Sequence, residues 1–206
     1  GTTDDGIFAT NDASGTTLSI LATGVVTGGD EGINATNLGS GDMSVSVANA
    51  DGTASVTGQT DFGVYALNFQ GGALDITLDN ATGGNGVGLY AYNGLGTGAL
   101  NITSRGIIDG TGFGIAALGN GTGELSSAAT TVRGSMTGIY AVNMNGGALT
   151  ISAQTVSGAA DTGIEARNQT TGDLTINTSA MDDSGQVTGG VFGIYAINEM
   201  GGALSI

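Results

Sequence analysis

The sequence predicts an all-β chain, a right-handed parallel β-helix of about eight coils of roughly 25 residues with three short strands per coil. Three observations predict it. A phrase Gly-(Ile/Val/Leu)-x-Ala-x-Asn starts at Gly6, Gly32, Gly63, Gly88, Gly114, Gly138, Gly163 and Gly193, at intervals of 24 to 31 residues, with Gly119 standing where the fifth copy would have its Asn. A second phrase follows each first one and alternates large aliphatic with polar residues, as in Leu18-Ser19-Ile20, Leu74-Asp75-Ile76 and Leu149-Thr150-Ile151. Finally, each strand-length run is bounded by Gly or Asn, and no run has the longer period of a helix. A propeller blade would need about 40 residues and antiparallel hairpins, and a leucine-rich repeat would need a helical segment.

The first strand of each coil is the Gly-Ile-x-Ala phrase. Its second and fourth positions, Ile7/Ala9 through Ile194/Ala196, contain no polar residue. The third and fifth include Glu165 and Arg167. Burying that pair in a narrow dry interior would cost several kcal/mol, so the third and fifth positions point outward. They form a candidate interaction stripe: Phe8, Tyr65, Leu67, Tyr90, Tyr92, Leu118, Tyr140, Val142, Tyr195 and Ile197. Cross-strand aromatic ladders that merely stabilise the sheet are the competing reading.

The strand ends at a corner occupied by Asn11, Asn37, Asn68, Asn93, Asn143, Asn168 and Asn198, with Asn120 displaced by Gly119. Asn tolerates turn dihedrals and can stack its amides between coils, so a structural Asn ladder is expected there. The second strand follows, and in the fifth coil it reads Leu125-Ser126-Ser127, which predicts a locally thin core. The third strand is the phrase Thr155-Val156-Ser157-Gly158 and its equivalents. Two coils carry extra residues after the second strand, near 48–61 and 178–191, which bring Asp51, Asp61, Asp182 and Asp183. Such insertions are loops on one edge of a solenoid, where specific contacts are often placed. Because successive parallel strands prefer one crossover sense, the helix is expected to be right-handed.

Composition bounds the function. Three Arg, no Lys and 18 acids give a net charge of −15, which repels nucleic acid and acidic surfaces. With no Cys and no His, disulfides, thiolate metal sites and imidazole chemistry are absent. No apolar run is long enough to span a membrane, so this segment is not expected to insert in one directly. The repeat runs from residue 1 to 206 without a break in composition, so it reads as one continuous body, and its uncapped ends suggest a segment of a longer repeat protein.

No cofactor is expected. Calcium has only a weak claim, since Gly83-Gly84-Asn85-Gly86-Val87-Gly88-Leu89 matches a calcium-binding repeat except that Gly88 replaces the ligand Asp. Enzymes acting on polysaccharides share the β-helix architecture. Here the carboxylate candidates for hydrolysis are Asp75 with Asp79, or Asp182 with Asp183, and the three Arg are too few to line a site for an acidic substrate.

The phrases Gly138-Ile139-Tyr140-Ala141-Val142-Asn143 and Gly147-Ala148-Leu149-Thr150-Ile151 resemble the repeats of autotransporter passenger domains, the type V secreted proteins of Gram-negative bacteria. The resemblance covers essentially the whole chain and lies in the style of its repeats. It implies a β-helix carried at the bacterial cell surface, outside the outer membrane, with an export signal before it and a membrane β-barrel after it. Adhesins of that kind use the faces and loops of the rod. The expectation is therefore a non-enzymatic adhesive or self-associating stalk, meeting a host cell, a neighbouring cell or a second copy through the Tyr/Leu stripe and the insertions. A passive spacer presenting a distal module is the alternative, with a polysaccharide-acting enzyme behind both.

Overall fold

Twenty β-strands and no helix make up the described residues, 4–178 and 185–206, of the computed structural model. The first phrase of each coil forms β1 (Ile7–Asn11), β4 (Ile33–Asn37), β7 (Val64–Asn68), β10 (Leu89–Asn93), β12 (Phe113–Gly119), β14 (Thr137–Asn143), β16 (Thr162–Asn168) and β19 (Phe192–Asn198). These pair in that order into one parallel sheet, the first face. The second phrase forms β2 (Leu18–Ala22), β5 (Met43–Val47), β8 (Leu74–Leu78), β11 (Leu100–Gly110), β13 (Leu125–Gly134), β15 (Leu149–Gly158), β17 (Leu174–Asn177) and β20 (Leu204–Ser205), the second face. The third phrase forms β3 (Val25–Gly28), β6 (Ser55–Gly58), β9 (Asn80–Gly83) and β18 (Gln186–Gly189), and in the fourth to sixth coils it is the far half of β11, β13 and β15. The result is a parallel β-helix of seven complete turns with an eighth begun by β19 and β20.

Register is kept coil after coil. Ile33 pairs with Val64, which pairs with Leu89, and so on to Ile194. Period-two alternation therefore puts every second residue of each strand into a single shared interior. From Ile33 and Ala35 to Ile164 and Ala166 the inward residues of the first face are fully buried. Opposite them lie Leu74, Ile76 and Leu78 and their equivalents, and the third strand adds Val56, Ile108, Val132 and Val156. Each large aliphatic so buried contributes on the order of 1.5–3 kcal/mol, which is how short strands hold together without a thick core.

The Gly that opens each first phrase has a packing reason. At Gly138 a Cβ would press on the Val156 side chain and the Gly163 carbonyl, so Gly gives the inward valine of the third strand its room. The Gly that ends the third strand is equally constrained. At Gly134 a Cβ would land on the carbonyl oxygen of Thr137, because the chain folds back on itself within three residues.

The segment near 48–61 contains β6, so the added residues are narrower than the sequence suggested and occupy Ala48–Ala54. Asp79 holds this loop. Its fully buried carboxylate accepts hydrogen bonds from the backbone N–H of Asn49 (2.8 Å) and of Ala54 (3.3 Å), and its other oxygen is ion-paired with Arg105 Nε at 3.3 Å. Arg105 reaches it from a bulge in β11, where one extra residue between Ser104 and Ile107 turns the side chain back toward the preceding coil. The other insertion includes β18, while Asp182 and Asp183 lie outside the described residues.

Candidate functional site: the aromatic first face

All ten aromatic residues of the chain, five Phe and five Tyr, lie on the first face or along its two borders. Two columns of outward side chains run along it. One reads Phe8, Asn34, Tyr65, Tyr90, Ala116, Tyr140, Glu165, Tyr195, and the other Thr10, Thr36, Leu67, Tyr92, Leu118, Val142, Arg167, Ile197. Parallel pairing in register is what brings residues about 25 apart in sequence into contact.

The structure places the ten stripe residues on this face but does not make them one continuous stripe. Tyr65 and Tyr90 stack on each other, with ring centroids 5.2 Å apart and planes 25° from parallel. Tyr140 is separated from them by Ala116, and Tyr195 by Glu165. Phe8, 70 % exposed, stands beyond Asn34, away from the other rings. Val142, expected to be exposed with the rest, is buried instead, because it lies between Leu118 and the long Arg167 side chain in its column.

Four further aromatics, not assigned to the stripe from sequence, complete it. Phe62 packs on both Tyr65 (4.9 Å) and Tyr90 (5.9 Å), Phe113 on Tyr140 (5.7 Å), Phe192 on Tyr195 (5.5 Å) and Phe69 on Tyr92 (5.6 Å). Phe62, Phe113 and Phe192 each immediately precede the Gly of the first phrase, a Phe-Gly step that was visible in the sequence. Burial first, and then the neighbouring Tyr65 and Tyr92 hydroxyls, push the Tyr90 hydroxyl above its ordinary pKa, so it stays neutral through physiological pH.

The face carries one acid and one base among its outward positions, and they neutralise each other. Arg167 Nε donates to Glu165 Oε1 at 3.1 Å, and the guanidinium lies 5.7 Å from the Tyr195 ring centre. The second face differs in chemistry. Its outward residues are mostly hydroxyls and amides, such as Ser44 donating to Ser19 at 2.9 Å and Asn101 donating to Asp75 at 2.8 Å. Asp75 is thus exposed on that face, whereas Asp79 is buried at the neighbouring corner, and the two do not form a carboxylate pair.

Acids gather along the border where the third strand turns into the first. Asp4, Asp5, Asp30, Glu31, Asp61 and Asp161 all fall one or two residues before the Gly of a first phrase or beside its first strand. Carboxylate oxygens of Asp5, Asp30 and Glu31 come within 4.8 Å of one another, which is the one such acidic trio among the described residues. Burial, a hydrogen bond to Asp5 and the charges of Asp5 and Asp30 push the Glu31 carboxyl up to about 7. Asp61 is raised by burial and by the charge of Asp30. The stretch Gly83–Leu89 brings no acid of its own; Asp61 of the preceding coil lies against Gly86.

The Asn corner is a hydrogen-bonded ladder for half its length. Asn11 Nδ2 donates to Asn37 Oδ1 (2.8 Å), Asn37 to Asn68 (2.9 Å) and Asn68 to Asn93 (3.0 Å). Gly119 then occupies the rung between Asn93 and Asn143. Beyond it the pattern changes. Asn143, Asn168 and Asn198 keep the bond from Nδ2 to a carbonyl of their own corner, at Gly147, Gly172 and Ala203, that Asn37, Asn68 and Asn93 also make, but not the bond from amide to amide. The expected ladder is therefore corrected to one uninterrupted run of four, and these buried amides serve the corner.

Comparison with known proteins finds no similar family model, curated protein or solved structure.

Proposed function

We propose that the chain is a non-enzymatic stalk of an extracellular bacterial surface protein, in the style of autotransporter passengers, and that it adheres through its first face. The observation that carries this reading is the segregation of every aromatic residue to one of three faces. Stability of a parallel sheet can be served by cross-strand pairs on any face, so packing alone gives no reason to leave the other two without a ring. A neutral, aromatic area on a rod of net charge −15 also has the composition of a contact surface, rich in Tyr and Phe at its centre with polar residues around it. The loop Ala48–Ala54, fixed by Asp79, gives a second, smaller projection for contact.

The passive-spacer reading is favoured by one observation. Tyr65 and Tyr90 turn their faces to each other instead of to solvent, as rings do when they stabilise neighbouring strands. Settling of cells that display the protein separates the two. With Tyr65, Tyr90, Tyr140 and Tyr195 all changed to Ser, and folding confirmed by circular dichroism, loss of clumping supports the adhesive face. Unchanged settling would leave the spacer.

A further inference from the structure

We propose that the first face docks a cationic protein surface that carries exposed apolar side chains. This rests on the first face being a contact surface and names the chemistry of what covers it. The face itself supplies apolar area and no net charge, since Glu165 and Arg167 cancel. Its border at the third-to-first corner supplies six of the chain's 18 acids. That border begins directly beside the ring cluster, because Asp61 adjoins Phe62, whose ring lies on Tyr65 and Tyr90. No Arg stands on this border: Arg105 is held by Asp79 at another corner, Arg133 is on the third face, and Arg167 is engaged by Glu165.

The partner's charge follows from that arrangement. A second copy of this chain has the right apolar face but brings net −15, and its one Arg outside these ion pairs, Arg133, lies on the third face and not beside the rings. Setting two such borders together would place like charges at close range in a partly dried interface, which opposes docking. An acidic or neutral partner leaves the border carboxylates to lose water without compensation. Lys or Arg flanking apolar anchors meets both requirements, covering the rings while pairing with the carboxylates. The raised Asp61 carboxyl fits this, since the group has already lost part of its water in the free protein and gains most from a cation brought close.

The test uses three synthetic peptides against the whole chain, with binding read by fluorescence anisotropy: a Leu/Lys amphipathic helix, a Leu/Glu helix with the same leucines, and a Lys/Ser peptide with the same charge. The Leu/Lys peptide is expected to bind, more weakly as salt is raised, and to lose on the order of tenfold in affinity when Tyr90 and Tyr92 are changed to Ser. Changing Asp30 and Asp61 to Asn, which leaves the rings in place, is expected to weaken it by a similar factor. Equal binding of the Lys/Ser peptide, or indifference to both variants, overturns the proposal by showing general attraction to an acidic rod. Preference for the Leu/Glu peptide overturns it as well. So does a dimer in sedimentation that disappears with the tyrosines, which would make the partner a second copy. If the four-tyrosine variant abolishes cell settling while the Leu/Lys peptide fails to bind, the adhesive face stands and the cationic partner falls. If the peptide binds through the tyrosines while settling is unchanged, the reverse holds.

Discussion

Asn143 has a side-chain oxygen that is buried and has no hydrogen-bond partner, and the rung one coil before it holds no amide. In the run from Asn11 to Asn93 each Oδ1 accepts from the Asn before it, and for Asn143 that donor position is Gly119. Gly119→Asn is expected to supply the missing donor and to extend the run from Asn93 through the new side chain to Asn143. The space is adequate if tight, because a Cβ there would lie 3.1 Å from Asn143 Oδ1, which must give by a few tenths of an ångström. The gain should be about 1 kcal/mol, the net worth of a buried hydrogen bond, read as a higher midpoint in urea unfolding with unchanged slope. An unchanged or lower midpoint would mean that Asn143 cannot make that adjustment. The break was legible in the sequence, since Gly119 interrupts a phrase that is otherwise regular. The orphaned oxygen was not, because it depends on which way each amide turns.

At the scale of the strand, the second face shows what a coil does when its interior is short of carbon. Ser127 stands in register between Ile102 and Ile151, is almost wholly buried, and its Oγ has no partner. Ser127→Val is expected to stabilise the protein by roughly 1–2 kcal/mol, removing an unsatisfied hydroxyl and adding apolar contact, measured as a rise in Tm. A drop would show that the fifth coil has already closed up around the serine. Nearby, the inward corner residues shrink from Val47 and Leu78 to Ser104, Ala129 and Ala153. In these three coils β11, β13 and β15 continue around the corner with pairing interrupted only at the corner itself, whereas at Val47 and Leu78 the strand breaks into β5 and β6 or β8 and β9. Alternation in the sequence identified the inward residues of the first and second strands, and on the first a wrong assignment would have buried Glu165 and Arg167. It did not identify the border rings. Phe62 and Tyr90 are neighbours only because two coils are stacked, and a residue in a turn carries no alternation to be read.

For the whole molecule, nearest-neighbour stacking predicts that a coil can be removed cleanly. Deleting residues 139–163 joins Gly138 to Ile164 and keeps each remaining strand facing an equivalent one. The shortened chain should retain its β-sheet circular dichroism, unfold cooperatively at a somewhat lower midpoint, and be shorter by about 4.8 Å in solution scattering. Deleting only 139–151 removes a first strand and part of a second, and should abolish folding or split the transition. Fold, coil number and strand order were all readable in advance because one short phrase repeats throughout. The placement of charge was not, since Asp30, Asp61 and Asp161 lie roughly one coil or several coils apart in the chain and share a border only once it is wound.

The register that the first face keeps from coil to coil has a consequence for inheritance. Since the phrase at Gly138 can follow the third strand of almost any coil, misaligned recombination between coding segments for two coils yields a longer or shorter rod that is still closed on every side. Length is then a trait that can change in whole steps while each step keeps its neighbours, and an aromatic column can be extended, interrupted or shifted without disturbing the interior beneath it.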